Sequence, residues 1–272
     1  MRFNRDFKLI VRTSYKDVII ASPIRINFTI SKSVDGLLSG CTIKIYNLNE
    51  SLRLALVKDA EDEAYIPISL FIGYKDKIEL AFKGNVYRGL NERSATDMVT
   101  TLECLDGGSI LESFVSETIT KNDIVIDTIL EVIDNVSRGR INTRPALLRP
   151  KVLLGNPIDL LNSLKQETES WYIEDEQLNL INIRQVTSNY IPKVSAKTGL
   201  IETPNRQEQK VTFKILIDPT VKIGRLIKLE STTAPHLNGI YKIYNITYNG
   251  DNYGQNWFQT CAGYLNLDYE VI

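Results

Sequence analysis

The chain has 272 residues, of which 43% are hydrophobic and 24% are charged, and its 32 basic residues are balanced by 33 acidic ones. This composition excludes an intrinsically disordered chain. It also excludes the basic excess of a protein whose main task is to bind a phosphate backbone. No window approaches about 18 uninterrupted apolar residues and the N-terminus carries charges at Arg2 and Arg5, so we expect a soluble protein, made in the cytoplasm, without direct membrane insertion.

The first third of the sequence predicts a compact β unit. Ile24, Ile26, Phe28 and Ile30 alternate with polar residues, which is the period of a half-buried strand. Asn49 is a good N-cap for a short helix with apolar residues behind it. Further strands are predicted over 7–11, 18–21, 42–48, 66–74, 78–84, 86–90 and 99–104. Turns every ten or so residues are typical of a barrel or a sandwich.

The middle third predicts helices together with a hairpin. Asp123 is expected to cap a helix that runs through Ile124 to Ile133 and ends near Gly139, and residues 140–155 are expected to form a crossing loop. Pro157 stands where helices begin, so a second helix is predicted after it. The segment from Trp171 to Ile183 predicts a hairpin with its turn over 174–177.

The last third returns to strands after a polar, loop-like stretch over 187–207. Strands are predicted over 211–217, 224–230, 240–248 and 256–265, with Asn249-Gly-Asp-Asn252 as a hairpin turn. A chain of this length predicts two or three domains. We place the boundaries at 1–110 for an N-terminal β domain, 111–203 for an α+β middle domain with its linker, and 204–272 for a C-terminal β domain.

The sequence singles out no catalytic, cofactor-binding or metal-binding residue. His236 is the only histidine and stands in a turn sequence, so a Ser-His-Asp or Cys-His system would depend on it alone. Cys41, Cys104 and Cys261 are dispersed and odd in number, which predicts buried free thiols. Trp171 is expected in a core, whereas for Trp257 both a core and an interface position stay open.

The order of several segments carries a resemblance to a known family. They are listed here in chain order: Ser22-Pro-Ile-Arg-Ile-Asn-Phe28, Thr42-Ile-Lys-Ile-Tyr-Asn-Leu-Asn49, Ile68-Ser-Leu-Phe-Ile-Gly-Tyr74, Phe82-Lys-Gly-Asn-Val86, Thr100-Thr-Leu-Glu-Cys-Leu-Asp-Gly107, Trp171-Tyr-Ile-Glu-Asp175, Leu178-Asn-Leu-Ile-Asn-Ile183, Leu237-Asn-Gly-Ile-Tyr-Lys-Ile243 and Asn249-Gly-Asp-Asn252. In this order the chain resembles, over nearly its whole length, the baseplate hub proteins of tailed phages. That superfamily includes the late control D proteins and the hub part of type VI secretion spikes.

The resemblance implies a mainly β fold in which two β-barrel hub domains flank a small helix-containing domain. It implies a virion structural protein of the tail baseplate, without enzymatic activity or cofactor. Three copies would form a ring that adapts a sixfold tail tube to a threefold central spike and lets DNA pass as cargo. The implied partners are further copies of the chain, the tail tube protein and the spike protein, with the tape measure and other baseplate proteins as additional contacts.

Two alternatives stay open from the sequence. Another tail component with barrel ancestry, such as a tube-like or distal tail protein, would have much of the same strand pattern, although the helical insert favours the hub. A carbohydrate-binding or hydrolytic tail module would require exposed aromatic side chains and a carboxylate pair across a cleft. No motif in the sequence selects such a pair.

Overall fold

A computed structural model describes residues 4–13, 17–58, 65–75, 77–120, 125–142, 149–265 and 269–272. These residues form twenty β-strands and three short α-helices. The N-terminal elements are β1 (Arg5–Arg12), β2 (Asp17–Ala21), β3 (Ile26–Ser33), β4 (Gly40–Tyr46), α1 (Glu50–Ala55), β5 (Pro67–Tyr74), β6 (Lys77–Ser94) and β7 (Asp97–Leu105).

The middle elements are β8 (Val115–Ile119), α2 (Val125–Val132), β9 (Ser137–Ile141), β10 (Lys151–Gly155), α3 (Pro157–Leu164), β11 (Glu169–Glu174), β12 (Gln177–Asn182), β13 (Gln185–Val186) and β14 (Lys193–Ser195). The C-terminal elements are β15 (Asn205–Gln207), β16 (Lys210–Leu216), β17 (Leu226–Glu230), β18 (Gly239–Asp251), β19 (Trp257–Leu265) and β20 (Glu270–Val271). The expectation of a mainly β protein with a few short helices is confirmed.

One thirteen-stranded sheet joins the two ends of the chain. Its order is β15-β16-β19-β18-β3-β4-β7-β6-β5-β1-β2, with β17 pairing β18 and β14 pairing β17. The seam between the N-terminal and C-terminal strands is the antiparallel pair β3–β18, which runs from Asn27 opposite Asp251 to Ser33 opposite Asn245. The two β regions, far apart in sequence, therefore share one hydrogen-bonded surface.

Neither β region closes into a complete barrel among the described strands. The pairing is an open path that ends at β2 and β15, because β3 uses one edge to pair with β18 instead of with a strand of its own region. The C-terminal region comes close to closure. Beyond β14 a single bridge joins Leu200 to Ile215 of β16, and the amide of Ile201 donates to the carbonyl of Lys214 over 2.9 Å.

The buried apolar side chains form two clusters. The larger contains inward-facing residues of both β regions, among them Phe28, Ile43, Tyr248 and Trp257. The smaller lies in the middle region around Ile129, Leu161 and Trp171. Tyr172 and Ile181 of the middle region belong to the larger cluster, and the domain boundaries at 110/111 and 203/204 stay predictions.

Several predicted elements in the middle region need correction. The helix α2 ends at Val132, and Ser137–Ile141 is a strand, so the helix does not continue toward Gly139. Lys151–Gly155, expected in a loop, pairs with β8. The proposed cap Asp123 lies outside the described residues. By contrast, α3 begins at Pro157, with the side chain of Asn156 accepting from the amide of Ile158, and the hairpin β11–β12 is found as predicted.

Two corrections concern the β regions. The strands predicted over 78–84 and 86–90 are one long strand, β6, because an irregularity between Val86 and Arg88 changes the register without ending the pairing with β7. The predicted turn Asn249-Gly-Asp-Asn252 begins too early, since β18 continues to Asp251 and the chain turns over residues 252–256. The short strands β14 and β15 lie within the stretch expected to be a loop.

Candidate functional surface

The central strands of the sheet present a face of uncharged polar side chains. Along β3 the residues Ile26, Phe28 and Ile30 are buried, whereas the alternating positions point away from the core. Successive side chains of a strand point to opposite faces, so one face of the sheet covers the core and the other is accessible. The polar face is defined by eight of the accessible residues: Thr29, Ser31, Ser33, Thr42, Asn245, Thr247, Asn249 and Thr260.

The strand register places these eight side chains side by side. Thr29 lies opposite Asn249 on β18 and opposite Thr42 on β4. Thr247 lies opposite Ser31 on β3 and opposite Thr260 on β19. Because directly opposed residues of neighbouring strands share a face, the polar face spans four strands and crosses the seam between the two β regions. The hydroxyl of Thr29 donates to Oδ1 of Asn249 over 3.4 Å across that seam.

Charged side chains stand at the margins of the polar face. Lys44 on β4, Glu103 on β7 and Lys214 on β16 have the same outward direction but flank the eight residues. The amino group of Lys214 lies 4.0 Å from the ring centre of Phe258 and 2.8 Å from a carboxylate oxygen of Glu202. At Gly40 a shallow depression of about 390 Å³ opens between Thr29, Ser31 and Thr42. The centre of the polar face is therefore uncharged and contains one shallow depression.

The turn after β18 fastens the seam at one end. The side chain of Asn252 accepts from the amide of Ile26 over 2.8 Å and donates to the carbonyl of Ile24 over 2.9 Å. Asp251 forms an ion pair of 2.8 Å with Arg25 and accepts from two amides of its own turn. These bonds hold residues that are more than two hundred positions apart, so the turn acts as a clamp between the β regions.

None of the residues considered as catalytic or metal-binding candidates from the sequence contributes a side chain to the polar face. His236 is exposed in the turn Pro235–Leu237. All three cysteines are free and buried, as predicted, and burial raises the pKa of each thiol, which makes them weak nucleophiles. Cys41 and Cys104 are direct neighbours across β4 and β7. Sequence spacing alone concealed this proximity, since only the strand pairing creates it.

The two tryptophans both belong to buried packing. Trp171 is fully buried, as expected, and its indole nitrogen donates to Oδ1 of Asn162 over 3.0 Å. Trp257 is 2% exposed and meets Phe28 edge to face with ring centres 5.5 Å apart. The open question at Trp257 is thus decided in favour of the core, where the ring helps to join β19 to β3.

The described part of the chain lacks both a metal-binding group and a membrane-spanning helix. It contains no group of three or more His, Cys, Asp or Glu side chains arranged to hold a metal ion. No helix in it is long and apolar enough to cross a membrane.

Comparison with known proteins gives the family. A family model described as "Baseplate hub gp41" matches residues 7–263, which is nearly the whole chain. The chain belongs to this baseplate hub family. It is therefore a structural component of the phage tail baseplate, and its location is the tail of the virion. No curated protein matches the chain in sequence.

Solved structures agree on the fold. The 43 kDa tail protein of prophage MuSo2 from Shewanella oneidensis matches with a TM-score of 0.64 at 9% identity, covering 95% of this chain and 98% of that one. An Escherichia coli component of the type VI secretion system, described as similar to the T4 tail proteins gp27 and gp5, matches with a TM-score of 0.64 at 10% identity, covering 95% of this chain and 78% of that one. A chain of the Francisella PdpA–VgrG complex matches with a TM-score of 0.59 at 8% identity, covering 98% and 59%. At identities this low the matches show the shared fold alone, and the family model confirms the resemblance to baseplate hubs.

Proposed function

We propose that three copies of this hub form a ring that connects the sixfold tail tube to the threefold central spike, that DNA passes through the ring, and that the chain has no catalytic role. This proposal is supported by the continuous sheet across β3 and β18, whose outer face is uncharged. In a closed ring of three copies, such a sheet from each copy supplies a long, uninterrupted wall.

The chemistry of the polar face suits a channel for duplex DNA. Lysine and arginine side chains that contact phosphates add affinity and make binding depend on salt, so they would hold DNA in place. Carboxylates would repel it. Hydroxyl and amide side chains, as at Thr29, Thr247 and Asn249, interact with water and phosphate alike, and favour passage over binding. We propose that this face lines the channel.

The two β regions correspond in this proposal to the two barrel domains of the family. Six such regions in a ring of three copies would present near-sixfold symmetry to the tube, while the ring keeps threefold symmetry for the spike. The nearly closed arrangement of the C-terminal region, with its bridge from Leu200 to Ile215, supports a barrel there. The similar fold of a chain in the PdpA–VgrG complex supports a spike protein as the partner.

The absolute mass in solution tests the ring. Light scattering over a concentration series, with the protein alone and with an excess of the spike protein of the same phage, is expected to give a trimer. Three copies of 30.9 kDa make about 93 kDa. A hexamer would favour the tube-like alternative. A tight dimer, or a monomer both with and without the spike, would overturn the proposed ring.

A further inference from the structure

A second cluster of polar side chains lies away from the polar face, where the middle region meets both β regions. The tip of the β11–β12 hairpin enters this junction with Glu174, Asp175 and Glu176. Lys32 comes from β3 and is 3% exposed, and its amino group lies 3.5 Å from Asp175 and 3.8 Å from Glu174. Lys222 approaches from the C-terminal region and pairs with Asp175 at 2.9 Å.

Asp106, which directly follows β7, holds the tip of the hairpin. Its side chain is fully buried, and its two oxygens accept from the amides of Asp175 and Glu176 over 2.7 and 2.8 Å. Both of these residues have positive φ, 55° and 62°. Non-glycine residues persist in this conformation only where the surroundings impose it. The bonds to Asp106 therefore help to keep a strained turn in place.

The cluster has one negative charge more than it has positive charges. Lys32, Lys83 and Lys222 supply three positive charges against Asp106 and the three carboxylates of the hairpin tip, four in total. Tyr65 donates to Glu176, and Tyr172 and Tyr248 interact electrostatically with carboxylates of the tip. Neutralising one carboxylate would balance this buried group of charges.

The burial of Asp106 identifies the carboxylate that takes up the proton. Burial raises the pKa of Asp106 to about 7 in spite of the nearby Lys32 and the two amide donors. For the mostly buried Asp175 the direction is opposite, since burial raises its pKa but Lys32 and Lys222 together lower it below the ordinary value. Lys32 itself keeps its charge, because Asp175 and Glu174 outweigh the effect of its burial and raise its pKa.

We propose that Asp106 and the tip of the β11–β12 hairpin form a proton-controlled latch, which holds the middle region against both β regions more tightly when Asp106 is protonated. Thermodynamic linkage between proton binding and the latch equilibrium determines the direction of the pH effect. The latched state binds a proton with the raised pKa, and the opened state, in which Asp106 meets water, binds it with the ordinary value. Lowering the pH from 8 to 6 therefore shifts the equilibrium toward the latched state by about tenfold.

Amide hydrogen exchange of the full-length protein tests the latch. After correction for intrinsic exchange rates, the protection of the amides of Asp175 and Glu176 is expected to rise about tenfold between pH 8 and pH 6. In Asp106→Asn the protection should stay constant over this range. Asp127→Asn is the matched control, because it removes a carboxylate from an exposed ion pair with Arg138 in the same region, and it should behave like the wild type. A flat wild-type profile, or the same rise in Asp106→Asn, would overturn the latch.

A second measurement does not depend on any variant. The carboxyl carbons of the wild-type protein, labelled with ¹³C in aspartate, can be titrated by NMR. A resonance with its midpoint near pH 7 supports the assignment of the proton to Asp106. If every aspartate titrates below about pH 5, close to the ordinary range, the proposal fails even if Asp106→Asn does not fold. Neither result bears on the mass of the ring, so the latch and the proposed assembly are tested separately.

Discussion

Lys242 shows how one residue on β18 connects stability to pH. Its side chain is 6% exposed, and its amino group donates to the backbone carbonyls of Asn182 and Ile183 over 3.1 and 3.0 Å. Among the described residues no carboxylate forms an ion pair with it. Burial lowers the pKa of Lys242 to about 8, because removal from water disfavours the ammonium form.

The sign of the resulting pH dependence follows from linkage. Between pH 8 and about pH 10 the unfolded state binds more protons than the folded state, so stability rises with pH in this window. We expect the Lys242 side chain to contribute a gain of about 1.5 kcal/mol between pH 8 and pH 9.5. In Lys242→Met this gain should be lost, whatever the variant's stability at neutral pH.

Denaturant unfolding at pH 8 and pH 9.5 measures the difference. Lys228→Met on β17 serves as the control, since that lysine is exposed and pairs with Glu230, and it should retain the wild-type gain. An equal gain in Lys242→Met would mean that the ammonium group is well solvated in the folded protein.

At the scale of elements, the pairing of β18 with β3 depends on a glycine. A Cβ added at Gly250 would come within 2.1 Å of the ring of Phe28, the residue directly opposite it. Phe28 in turn packs against Trp257, so its ring has little room to move. Gly250→Ala is expected to lower the free energy of unfolding by about 1–3 kcal/mol through overpacking.

A second glycine in the same sheet provides the matched control. A Cβ at Gly40 would meet only the carbonyl of Cys104, at 4.0 Å. Gly40→Ala should therefore leave the free energy of unfolding unchanged or raise it slightly, since alanine loses less conformational entropy on folding. Equal losses in the two variants, measured by chemical denaturation, would contradict the packing explanation.

The elements also differ in how well the sequence predicted them. Strands with strict alternation, such as β3, and the helix α3 with its Asn156 and Pro157 signals, were predicted because each signal is local. The strands β9 and β10 were missed. β9 pairs with β12 and β10 pairs with β8, so partners from distant parts of the sequence make these short segments extended. Intrinsic strand propensity is a weak predictor where pairing with a distant segment determines the backbone conformation.

At the scale of the whole molecule, the proposed channel makes the charge of the polar face the decisive property. The double variant Thr29→Lys with Thr247→Lys puts two lysines beside the seam in every copy, and six in a ring of three. These lysines would bind phosphates of passing DNA. We expect virions with this hub to assemble normally but to lose infectivity by at least about tenfold, because the retained DNA is delivered slowly.

The control replaces two hydroxyl side chains with lysine outside the polar face. Ser116→Lys with Thr118→Lys changes two exposed residues on β8 in the middle region, and infectivity should be preserved. Particle counts by electron microscopy, compared with plaque titres, separate assembly from delivery. Equal titres for the two double variants would show that the polar face does not line the channel.

The strand-rich character of this protein, its β, helical, β order, its buried cysteines and its family resemblance could all be predicted from the sequence. These properties depend on local alternation, capping residues and the order of segments, all of which can be read along one chain. The pairing of β3 with β18, the common face of Thr29 and Thr247, and the meeting of Lys32, Asp106 and Asp175 became visible in the folded chain. Each of these depends on contacts between residues remote in sequence, and the strand register that creates them is fixed by the packing of the core that both β regions share.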